Sequence, residues 1–238
     1  MAFTSFRFIV FLVLAAAAYF LTPKRCRWVT LFVANYVFYF ISGGRIFIYL
    51  LATTVTTYLA TVKIGDMAAK NKIAFNEAKA ELDKEGKKAW KAAFAKKKKR
   101  ILIPTLLFNF GILAVLKYSG FVTENLNLLF AKIGIGTELP VFRFLLPLGI
   151  SFYPFQSMGY LIDVYREKQE PERNFCKLAL FISFFPQIVQ GPISRFGTLA
   201  EQLFRANEFS YTRIKFGVQL MLWGAFKKMV IADRAAVL

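Results

Sequence analysis

The 238-residue chain contains no histidine. That absence excludes, within these residues, every Ser-His-Asp, Cys-His and histidine-ligated metal scheme. Cysteine is almost as scarce. Cys26 and Cys176 stand far apart and form no CxxC, so neither a disulfide framework nor a zinc site is suggested. Acids are few, 14 Asp plus Glu against 32 Lys plus Arg, and none falls inside the long apolar runs. No segment repeats another in length and polar content, which counts against an inverted-repeat transporter.

What is present in excess is apolar. The chain is 57% hydrophobic and 17% aromatic, with 28 Phe, a composition foreign to a soluble domain of this length. Uncharged apolar runs recur at 8–21, 28–41, 46–62, 101–116, 144–162, 178–194 and 216–226, the last continuing past Lys227 and Lys228 into 229–232. Several are shorter than the roughly 17–25 residues of a full span, and flanking Tyr, Trp, Lys and Arg can make up the length in the headgroup layer. The expected fold class is all-α: a polytopic transmembrane helical protein of six or seven membrane elements, some broken or re-entrant. Run 8–21, with Arg7 before it and alanines at 15–18, has features of a signal peptide. The next apolar run begins so soon after it that it reads as a first transmembrane helix.

The basic residues set the expected topology. The turn 22–27 carries Lys24, Arg25 and Arg27 and no acid, and the segment 63–100 carries thirteen Lys or Arg against five Asp or Glu. Two spans separate these loops, so they share a face. The intervening turn 42–45 holds only Arg45, and 123–140 has one Lys against two Glu. The positive-inside rule then places both basic loops in the cytoplasm and the N-terminus outside, in a multi-pass cell-membrane protein. The same rule favours a full crossing by 178–194 over a dip and return. Residues 1–62 form three N-terminal transmembrane helices, 63–100 a basic cytoplasmic segment and 101–238 a core. Within 63–100, Phe75, Ala78, Leu82, Trp90 and Phe94 recur at helical spacing, the pattern of an amphipathic helix on an anionic leaflet. A nucleic-acid arm is the weaker reading, because apolar spans flank the charges closely.

Two apolar segments are unlike ordinary spans. LPLGISFYPFQSMGYLIDVYR holds Pro147, Gly149, Pro154 and Gly159, with Ser151 and Gln156; SFFPQIVQGPISR holds Pro186, Gln187, Gln190, Gly191, Pro192 and Arg195. Proline removes a backbone donor and glycine permits unusual dihedrals, so the helix-break residues are Pro147, Gly149, Pro154, Pro186, Gly191 and Pro192. In hydrocarbon such breaks survive where they line an enclosed, partly wet cavity. Gln156, Gln187, Gln190 and Arg195 are the candidates for lining a substrate tunnel: amides and freed N–H groups hold a carbonyl or oxyanion, and a guanidinium grips a phosphate or carboxylate. The plainer alternative for each Gln is a hydrogen bond to a neighbouring helix. Asp163 and Arg166 at a helix end read as a surface pair or topology anchor.

These two segments, with the closing LMLWGAFKKMVIADR, resemble the signature of the membrane-bound O-acyltransferase family. The resemblance is to its bacterial branch, which contains the alginate O-acetylation protein and the D-alanyl transfer protein of teichoic acid synthesis. It extends over essentially the whole chain and is most specific over 144–234. It implies an enzyme moving an acyl group from a thioester donor, acetyl-CoA or an acyl-carrier thioester, to a hydroxyl of an extracellular polysaccharide or cell-wall polymer. It also implies helices around a tunnel, a donor reached from the cytoplasm, no bound cofactor or nucleic acid, and in some members a soluble partner acyltransferase. The family's intramembrane histidine lies beyond residue 238, so the expectation is an N-terminal piece of an acyltransferase, inactive alone. A transporter or flippase, and a non-catalytic membrane subunit supporting a partner transferase, remain the alternatives.

Overall fold

The computed structural model describes residues 5–43, 47–79, 83–134, 139–141, 149–188 and 191–235. Every regular element among them is helical. The helices are α1 (Phe6–Leu21), α2 (Arg27–Gly43), α3 (Phe47–Ala78), α4 (Lys84–Ile133), α5 (Tyr153–Tyr165), α6 (Phe175–Ser183), α7 (Phe185–Ile188), α8 (Phe196–Phe204) and α9 (Tyr211–Phe226), the last running into a π-helical stretch, Lys227–Ala232. Two of them, α3 and α4, are long and apolar enough to cross a membrane. Pro147 and Gln190 lie outside the described residues.

The segments form two compact units, 32–203 and a second made of 1–31 with 204–238. In the larger unit α3 and α4 are the frame. At about 1.5 Å per residue their 32 and 50 residues extend roughly 48 and 75 Å, beyond the ~30 Å of a hydrocarbon core. The basic segment 63–100 is thus the far end of α3 and the near end of α4. There Trp90 Nε1 donates to Asn71 Oδ1 at 3.0 Å and the Trp90 ring meets Phe75. Asp83 caps α4 by accepting from the Gly86 amide at 2.7 Å, and Gly134, at φ 79, closes it.

On α3, Leu50, Thr53, Thr54, Thr57, Ala60, Thr61 and Ile64 are buried. They recur every three or four residues, so they form one stripe, and being mostly small they let neighbouring backbones approach. Helix α5 packs on this face and α6 beside it. Tyr160, Phe181 and Phe196 join α5, α6 and α8 in one aromatic cluster, with centroids 4.7–6.2 Å apart.

The connection from α5 to α6 is pinned on two sides. Against α3, the Arg173 guanidinium pairs with Asp66 at 2.7 Å, the Tyr58 hydroxyl donates to the Arg173 carbonyl at 2.8 Å, and Pro171 lies where a side chain on Gly65 would sit. Against α4, the Lys98 Nζ donates to the Tyr165 carbonyl at 2.9 Å and to Glu167 at 2.5 Å, over the Phe94 and Tyr165 rings. Lys98 is 7% exposed, unlike its neighbours in the basic run.

In the smaller unit the loop 205–210 is held to the α1–α2 turn. Lys24 pairs with Glu208 at 2.7 Å, Arg27 donates to the Asn207 carbonyl and Phe20 meets Phe209 edge-on.

Candidate functional site

The two proline- and glycine-rich segments meet in the larger unit. Gly149 has φ 75, and a Cβ there would fall 1.7 Å from the Ile188 methyl Cγ2. Only glycine accepts that backbone conformation together with that approach. The Gly149 carbonyl then receives the Phe152 and Tyr153 amides and starts α5, where Pro154 occupies the second helical position, a place that needs no N–H partner within the helix.

The second segment breaks at Phe184, whose ψ of 100 interrupts the helix between α6 and α7. Pro186 causes this locally, since its ring crowds the carbonyl four residues back. In an unbroken helix the Phe185 N–H would bond the Phe181 carbonyl. Here two side chains take those groups separately. Asn35 Oδ1, from α2, accepts from the Phe185 amide at 2.8 Å, and Gln156 Nε2, from α5, donates to the Phe181 carbonyl at 2.8 Å. Past the break, the Gly191 amide bonds the Gln187 carbonyl, and a Cβ on Gly191 would come within 2.6 Å of Gln187 Cα. Pro192 and Arg195, both exposed, follow in an irregular stretch before α8.

Of the four tunnel candidates, two lie at the helix breaks, each with a different partner. Gln156 is buried and bonds a neighbouring helix; Gln187 donates to Ser194 Oγ at 2.7 Å while its Oε1 is buried without a partner among the described residues. Arg195 is exposed, away from the buried groups, and Gln190 lies outside the described residues.

Sequence reading missed the remaining polar atoms at this place. Asn35, Tyr39, Tyr153 and Ser183 are all buried, and Asn35 Nδ2 and both tyrosine hydroxyls lack partners among the described residues. The Tyr39 hydroxyl lies within electrostatic reach of those of Tyr36 and Tyr153, and Tyr36 is beside Ser183. One signal was available: Asn35 is an amide in an apolar run, with Tyr39 one turn further along the same helix face. Among the described residues no three His, Cys, Asp or Glu gather as metal ligands.

Over its full length the chain is 30% identical to a protein of Pseudomonas syringae pv. tomato named "Probable alginate O-acetylase AlgI", covering 41% of that protein. It is 33% identical to the protein of that name from Azotobacter vinelandii over 99% of the chain and 42% of the relative. A peptidoglycan O-acetyltransferase of Helicobacter pylori is 32% identical over 57% of the chain and 30% of its own length. No protein-family model and no solved structure matches the chain. The chain spans about two fifths of the length of the alginate O-acetylases that it matches. Along its whole length, then, the chain is similar to part of the proteins named probable alginate O-acetylase, in line with its resemblance to the membrane-bound O-acyltransferases.

Proposed function

We propose that these 238 residues form part of a membrane-bound O-acyltransferase moving an acetyl group from a thioester donor to a hydroxyl of an extracellular polysaccharide or cell-wall polymer. The observation that carries the reading is the similarity to relatives named for different acceptors, alginate and peptidoglycan. Acetyl transfer to oxygen is what those names share, so the reaction class is better supported than the polymer.

In this reading the chain contributes six or seven membrane elements, with the N-terminus outside and the ends of α3 and α4 at 63–100 in the cytoplasm, where the donor, acetyl-CoA or an acyl-carrier thioester, arrives. The reaction needs a base for the attacking hydroxyl and donors for the developing oxyanion. With no histidine in the chain, the base comes from outside these residues, while the region of the helix breaks, with Gln156, Gln187, Gln190 and Arg195 as candidates, contributes to the tunnel. A soluble partner transferase is compatible with this division.

The test is a graft. The matching region of the Azotobacter vinelandii relative is replaced by this chain in cells lacking the native protein, and ester-linked acetate on alginate is measured. Restored acetylation is the expected result; an inserted, stable graft that never acetylates would remove the enzyme reading and favour a supporting subunit. Cysteine placed at Lys79 should react with impermeant maleimide only after the cytoplasmic side is opened. Labelling in intact cells would invert the topology.

A further inference from the structure

The α6–α7 break is held open from two sides, by Asn35 on the Phe185 amide and Gln156 on the Phe181 carbonyl. With the main chain thus satisfied, an unpaired cluster of side chains beside it stands out. Asn35 Nδ2 and the Tyr39 and Tyr153 hydroxyls are buried without partners among the described residues, and the Ser183 hydroxyl beside them is hydrogen-bonded to that of Tyr36. Buried polar atoms are costly to leave unmade, and native structures rarely gather several in one place without a ligand or water between them.

Their convergence follows from the elements. Asn35 and Tyr39 lie one turn apart on α2. Phe38, between them, meets the Phe185 ring at a tilt with centroids 5.0 Å apart, which sets this face of α2 against the break. Ser183 ends α6, Gly149 brings the start of α5 against Ile188 of α7, and the Tyr153 hydroxyl lies within electrostatic reach of that of Tyr39. The Phe185 amide fixes which way the Asn35 amide faces: its oxygen is taken, so its nitrogen presents N–H to the cluster.

The chemistry of the set is specific. It offers one amide donor and two hydroxyls, and contains no charged residue. A phosphate or carboxylate would enter without a counter-charge, which burial penalises heavily. A neutral carbonyl accepts from amide and hydroxyl donors without that penalty. We propose that Asn35, Tyr39 and Tyr153 form a binding site for the neutral carbonyl of an acyl thioester. This rests on the reading of the chain as part of an acyltransferase and identifies which residues hold the acyl group.

The probe is S-acetyl-N-acetylcysteamine, 13C-labelled at the thioester carbonyl, which carries both a carbonyl and an amide N–H. It is titrated into the purified chain in nanodiscs and followed by difference infrared spectroscopy. A saturable carbonyl band is expected, rising in frequency in Tyr39→Phe and in Tyr153→Phe, each binding roughly three- to tenfold more weakly. The S-ethyl thioether, lacking the carbonyl, should not compete. No saturable band in the wild-type chain, or a band identical in both variants, overturns the site. If Tyr39→Phe does not insert, Tyr153→Phe alone gives the same reading. The graft separates this from the wider proposal. A shifted band without acetylation keeps the site and removes the enzyme, whereas wild-type acetylation by a graft carrying both Tyr→Phe changes removes the site and keeps the enzyme.

Discussion

At the scale of single residues, the helix break is maintained by two side-chain amides and two glycines. Gln156→Leu keeps the volume but strands the Phe181 carbonyl in the interior. It should cost about 1–3 kcal/mol, read as a lowered unfolding temperature in detergent. Gly149→Ala should cost about 2 kcal/mol or more, because a positive φ and the Ile188 methyl both oppose a Cβ. Adding Ile188→Ala relieves the collision but not the dihedral, so it should recover only part of the loss; full recovery would mean the dihedral carries no strain. Gln156 stands out in the sequence as an amide in an apolar run, but its bond to a backbone carbonyl does not. Its partner is 25 residues away, and nothing local indicates which carbonyl a distant proline will free. Asn35, 150 residues from the amide it receives, was hidden for the same reason.

At the scale of elements, five consecutive basic residues, Lys96–Arg100, look alike in sequence and differ in role. The helix turns Lys98 inward, where it closes the carbonyl end of α5 and pairs with the side chain of Glu167, a residue at φ 59. Its neighbours face outward. Lys98→Met should destabilise the α4–α5 packing by about 2 kcal/mol and speed amide exchange at 165–168, with little dependence on salt. Lys97→Met should change stability by less than about 0.5 kcal/mol. Equal effects from the two would dismiss the inward lysine as an anchor. Charge counting captured the run as a block because it is blind to helical phase, and phase is what selects one lysine of four. The stripe on α3 was more nearly readable, since Thr53, Thr57 and Thr61 repeat at helical spacing; which helix covers it depended on packing.

At the scale of the whole molecule, the all-helical class and the long apolar character followed from composition, while helix ends did not. Runs 46–62 and 101–116 proved to be portions of much longer helices, because lysine and glutamate are good helix formers and propagate a helix beyond its apolar part. In the smaller unit, a hydrogen bond from Lys24 and its charge hold the Glu208 carboxyl below the usual carboxylate range. A depressed folded pKa means the tether is complete above the ordinary carboxylate value and is lost as pH falls through the lower, folded one. A spin label on Ala206→Cys, with Cys26 and Cys176 replaced by serine, should therefore stay immobile from neutral pH to mild acid and loosen only below that. In Lys24→Ala it should be loose throughout, and a label unmoved by that change would discount the tether. Helix α4 carries a different consequence. It runs unbroken from Lys84 to Ile133, through Pro104, so its two ends share one rotational phase. Inserting a single residue near Leu113 would twist everything beyond it by about 100°, whereas inserting seven would return it nearly to register at a longer reach. A ladder of insertions from one to seven would show whether the protein tolerates the change in length and fails on the change in angle, as a rigid rod demands.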